Sequence, residues 1–124
     1  MSVGIVVRNE RHENLSSFVE FVPIVAWEHR AQFPMLTHQD PYGRLILNQR
    51  QVETLLKEVT TIELRISELG LVEALKALGS PLVSLGPEHE TELAAQVRDF
   101  IERLRELSAE TLTGVHRYLW FIGD

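Results

Sequence analysis

Asp40-Pro41-Tyr42-Gly43-Arg44-Leu45-Ile46-Leu47-Asn48 sets a turn, a short strand and a helix start in immediate succession. Pro41 suits the second position of a β-turn, where its fixed φ is already correct. Asp40 can accept a local backbone hydrogen bond, and Gly43 relieves crowding at the fourth position. Leu45, Ile46 and Leu47 make an apolar run too short for anything but a buried strand or an extended entry segment. Asn48 is a good N-cap, because its side-chain oxygen can accept from the orphan amides of the next turn. The stretch therefore joins strand to helix, and the rest of the chain is read outward from that junction.

Downstream, Val52, Leu55, Leu56, Val59, Ile62, Ile66 and Leu69 recur at helical spacing from Gln49 onward. Glu53 and Lys57 add an exposed pair in the favourable order. Gly70 is a natural stop, Leu71 to Leu78 reads as a short helix, and Gly79-Ser80-Pro81 closes it. Pro81 to Gly86 is expected to be a loop whose apolar middle folds over the core. Pro87 and the acidic residues behind it open the last helix. Its core stripe is Leu93, Val97, Phe100, Ile101, Leu104 and Leu107, with Ser108 to Gly114 as a connector. Val115 to Ile122 is the clearest strand, with Val115, Leu119 and Phe121 on one face and Tyr118, Trp120 and Ile122 on the other. A strand apolar on both sides belongs inside a sheet.

Upstream, Val3 to Arg8 reads as a strand and Asn9 to Asn14 as a polar turn. Leu15 to Val22 fits either a helix face or a strand. Pro23 is placed in the first turn of a short helix to Ala31, with Ile24, Trp27 and Ala31 on one side. Phe33-Pro34 ends it, since a residue before proline is pushed out of the helical region. The expectation is one α+β domain over residues 1–124, mainly helical, whose helices pack on a small sheet pairing the first and last strands.

At 124 residues, 44% hydrophobic and 24% charged, the chain can bury a core without staples. With Cys 0 there is no disulfide, thiol nucleophile or thiolate metal site, which fits a reducing cytoplasm. Met1-Ser2-Val3-Gly4 lacks a signal peptide's basic and apolar regions, and no apolar run approaches the roughly 20 residues that span a bilayer. A net charge of −6 argues against nucleic acid as a partner.

Few residues offer chemistry. His38 and Asp40, joined by His29 or His116, could supply imidazole and carboxylate to zinc or iron. The plainer account is turn chemistry and surface histidines, so no metal, cofactor or catalytic residue is assigned. No Gly-x-Ser-x-Gly elbow or Gly-rich phosphate loop occurs. The last helix and its approach carry Glu88, Glu90, Glu92, Asp99, Glu102, Glu106 and Glu110 against Arg98, Arg103 and Arg105. That excess is either a solvated face or a surface that steers a basic protein partner. Tyr42 on its turn is the candidate interface aromatic.

Phe33-Pro34-Met35-Leu36, Asp40-Pro41-Tyr42-Gly43, Asn48 and Gln51, and Tyr118-Leu119-Trp120-Phe121-Ile122-Gly123-Asp124 together make up about a seventh of the chain. The pattern resembles a group of small uncharacterised bacterial-type proteins, some of which look like immunity or accessory partners. The resemblance implies no catalytic chemistry, and Arg44 stands where an acidic residue is expected after the glycine. Three readings follow from the sequence. The first is a non-enzymatic interaction domain of the immunity type, binding through Glu92, Asp99, Glu102, Glu106 and Tyr42. The second is a small metal-assisted enzyme using His38 and Asp40 with His29 or His116. The third is a homodimeric structural subunit.

Overall fold

In a computed structural model that describes residues 3–37, 43–85 and 87–123, the last strand lies inside the sheet. Four antiparallel strands run in the order β2-β1-β4-β3, with β1 at Val3–Asn9, β2 at Val19–Glu20, β3 at Arg44–Leu47 and β4 at Arg117–Gly123. β1 and β4 pair along their whole length, from Val3 opposite Gly123 to Asn9 opposite Arg117. β3 pairs the other side of β4, with Leu45 opposite Phe121 and Leu47 opposite Leu119. The expected α+β domain with paired first and last strands is what forms.

Side chains alternate across a strand, so this register sorts the sheet into two faces. Val3, Ile5, Val7, Leu47, Leu119 and Phe121 point inward and are buried in the main core. Three α-helices and a short helical turn supply the rest of that layer: α1 (Pro34–Thr37), α2 (Gln49–Leu69), α3 (Leu71–Ala77) and α4 (Glu90–Thr113). α2 contributes Val52, Leu55, Val59 and Ile62, and α4 contributes Leu93, Val97, Phe100 and Leu104. α2 starts on a full capping box. The Asn48 side chain accepts from Gln51 N at 2.9 Å, and the Gln51 side chain accepts from Asn48 N at 3.0 Å. Gly70, at φ +84°, turns the chain from α2 into α3 in a conformation that a side chain rarely adopts.

Among the described residues no helix packs on the other face. Val6 and Trp120 are nevertheless buried there, outside the main core. Arg8 lays its guanidinium 4.8 Å from the centre of the Trp120 ring, and His12 meets that ring edge-on at 4.9 Å. Phe18 packs over Gly4, where an added Cβ would lie 3.0 Å from the Phe18 ring. The ambiguous Leu15 to Val22 stretch is thus mostly a cover for the sheet, with a two-residue strand inside it.

Four local expectations need correction. Pro23 to Ala31 is not a helix: only Trp27–His29 makes a 3₁₀ turn. Ile24 and Val25 are both buried, and Ala26 N bonds Leu78 O at 2.9 Å, which ties this backbone to a distant segment rather than to its own preceding turn. Trp27 is accordingly 60% exposed and stacks under Arg30, whose guanidinium lies 3.5 Å from the ring centre. Second, β3 is an edge strand with one wet face, since Arg44 and Ile46 are exposed. Third, α4 continues through the expected connector to Thr113. Buried Thr111 satisfies its hydroxyl by donating to Leu107 O at 2.9 Å, one turn back. Fourth, Val115 is 81% exposed and precedes β4, so it adds nothing to the core. The turn residues Asp40, Pro41 and Tyr42 lie outside the described residues.

Candidate functional site

α4 is amphipathic in a way that fixes where charge can go. Its buried stripe of Leu93, Val97, Phe100, Leu104 and Thr111 takes one side against the sheet and α2. At 3.6 residues per turn, Glu92, Asp99, Glu102 and Glu106 fall within roughly 80° of arc on the opposite side. All four are exposed. The helix brings together the four acidic residues expected from the sequence, whereas Tyr42 lies outside the described residues.

Local partners use up only part of this stripe. Asp99 Oδ2 holds Arg103 Nε at 3.1 Å, and Glu92 Oε2 lies 3.6 Å from His89 Nδ1. Among the described residues no cation comes within 4 Å of Glu102 or Glu106. Exposed pairs of this kind contribute about 0–1 kcal/mol, so the stripe is free to exchange its partners.

Beside the stripe, α4 and the second half of α2 leave a groove of about 510 Å³ between them. Its floor is apolar, made by Ile66, Leu71, Ala94, Val97 and Ile101, and its rim carries Glu63, Ser67, Arg98 and Glu102. Arg105 bridges the helices by pairing with Glu63. Glu102 belongs to both features, as the point where the acidic stripe meets the apolar floor.

Of the alternative constellation, only His29 and His116 are described. His38 and Asp40 lie outside the described residues. His29 sits in the 3₁₀ turn after β2, with its Nε2 3.9 Å from Glu28. His116 adopts φ 57° just before β4 and borders a small cleft with Asn48 and Arg50. Among the described residues no three His, Asp or Glu side chains are placed to hold a metal ion.

One chemically loaded residue escaped the sequence reading. Glu58 is only 4% exposed, and its two carboxylate oxygens accept from Met35 N and Leu36 N at 3.1 Å each. It caps α1 from below, as an anion at the positive end of a helical turn. The signal was present: Glu58 lies three residues after Leu55 and four before Ile62, inside the apolar stripe. Among the described residues no helix is long and apolar enough to cross a membrane. Compared with protein-family models, curated proteins and solved structures, the chain matches none.

Proposed function

We propose that the chain is a non-enzymatic interaction domain that binds a basic amphipathic helix of a protein partner along α4. The carrying observation is that the acidic stripe runs beside an apolar groove and shares Glu102 with it. A helix laid in such a groove anchors apolar residues at helical spacing, while basic residues on its flank meet the carboxylates. Small size, acidity and the resemblance to immunity-type proteins support a role in sequestering that partner.

The test uses a synthetic helix with leucine at groove-facing positions and lysine on one flank. If steering is electrostatic, its association should slow steeply with salt while dissociation changes little, because the screening length falls from about 30 Å at 0.01 M to about 3 Å at 1 M. Reversing Glu92, Asp99, Glu102 and Glu106 to lysine should weaken binding and leave the fold intact. Reversing the equally exposed Glu13, Glu53, Glu68 and Glu73 changes net charge by the same amount and should leave most of the affinity. Equal losses from both sets would reduce the effect to overall charge and refute the site.

A further inference from the structure

The two edges of the sheet are treated differently. Beyond the short β2, the outward backbone of β1 is closed by its own loop: Leu15 N donates to Val7 O at 2.8 Å, and Val7 N donates to Ser16 Oγ at 3.0 Å. Such blocking is how proteins keep an edge from pairing with other chains. Among the described residues β3 has no equivalent. Gly123 N donates to Gly43 O at 2.7 Å, which sets the bonded pairs at 43/123, 45/121 and 47/119. The peptide groups of Arg44 and Ile46 therefore point the other way, to the open edge. Among the described residues none bonds them.

The side chains at this edge select what could pair there. Ile46 is 43% exposed beside Trp120, at the mouth of a cleft of about 240 Å³ that His12, Tyr118 and Trp120 also line. Arg44 lies 5.8 Å from the Trp120 ring centre, on the same face as Arg8. Among the described residues no carboxylate comes within 4 Å of either guanidinium. Among the described residues Glu10 is the one acidic residue lining the cleft. A second copy is a poor occupant. Two-fold pairing about Leu45 would set the two Arg44 side chains diagonally, roughly 7–8 Å apart, with like charge.

We propose that the β3 edge takes an extended acidic peptide as a fifth strand, its backbone bonding Arg44 and Ile46 and its carboxylate meeting Arg44. Main-chain bonds would give the affinity, and the alternate side chains over Arg44 and the Ile46 cleft the selectivity. This surface is separate from the α4 groove, and either proposal can fail alone.

The probe is a capped hexapeptide alternating glutamate and valine, followed by amide exchange of the protein. The amides of Arg44 and Ile46 should exchange quickly in the free protein and slow on adding peptide. Arg44→Glu should weaken binding by about tenfold or more, as expected when an attractive cross-strand pair becomes repulsive. Ile46→Pro removes an outward N–H without breaking the ladder to β4, so it should abolish binding, whereas Ile46→Ala keeps that N–H and should bind far better. If Ile46→Pro does not fold, a peptide N-methylated at alternate residues asks the same question of the unmodified protein. Equal binding of a lysine–valine peptide, or protection confined to amides other than those of Arg44 and Ile46, would overturn the proposal. So would protection that rises with protein concentration alone, which would assign the edge to a second copy.

Discussion

Removing the Glu58 carboxylate tests whether α1 is held by one buried anion. The side chain is nearly sequestered, and each oxygen takes one backbone N–H, from Met35 and from Leu36. Hydrogen bonds to a charged acceptor contribute about 1.5–3 kcal/mol each, so the pair is worth roughly 3–6 kcal/mol before relaxation. Glu58→Gln keeps shape and volume but can accept at only one of the two positions, because its amide nitrogen faces the second N–H as another donor. About 2–3 kcal/mol should be lost. Glu58→Ala loses both acceptors and leaves a void, and should cost about 3–5 kcal/mol, a large part of the 5–15 kcal/mol typical of a domain. Urea unfolding at neutral pH measures both variants. Amide exchange of Met35 and Leu36 locates the loss, since a cap failure should speed these amides well before global unfolding. A Glu58→Gln variant within about 0.5 kcal/mol of the parent, with both amides still protected, would refute the capping argument.

Asn48→Ala should cost about 0.5–2 kcal/mol by removing the capping box of α2, read as a lower urea midpoint with an unchanged slope. Leu119→Ala, at a fully buried position in the middle of the sheet, should cost about 2–5 kcal/mol. Val115→Lys, only four residues earlier but 81% exposed, should stay within about 0.5 kcal/mol. Similar losses at both positions would mean that the last strand begins earlier than Arg117.

The junction at Arg44 to Gln51 was legible because each of its parts is local. A short strand and an N-cap need nothing beyond their neighbours to be recognised, although the Gln51 half of the capping box went unread. The pairing of β1 with β4 was legible for a different reason: each was the strongest β-forming segment in a chain otherwise mainly helical. What failed depends on distant contacts. Pro23 to Ala31 carries helix-compatible spacing, yet Ile24 and Val25 are both drawn into the core by the backbone running past Leu78 and Ser80. Ser108 and Thr111 read as connector residues, but both are buried on α4, and Thr111 donates its hydroxyl to Leu107 O one turn back. The acidic stripe of α4 was visible from its spacing alone. The groove beside it was not, since it requires knowing that Ile66 of α2 stands opposite Val97 and Ile101. Glu58 was overlooked because a carboxylate in an apolar stripe reads as an interruption until its partners, more than 20 residues away, are placed beside it.

The antiparallel match of β1 with β4 also sets an order of events. Asn9 must find Arg117 across more than a hundred intervening residues. Closing a loop of that length costs about 2 kcal/mol more entropy than closing one of ten residues, at about 0.6 kcal/mol per doubling. As the chain is synthesised, β1 has its own following loop and the two-residue β2 on one flank, and nothing for the other until residue 117 and those beyond it have been made. The helices between them can form early from local contacts, but the apolar side chains of Ile5 and Val7 must wait for the strand that completes their layer. Folding should therefore be slow for the chain's size and finish in a single late step. In that interval the unpaired flank of β1 is the segment a chaperone would have most reason to hold.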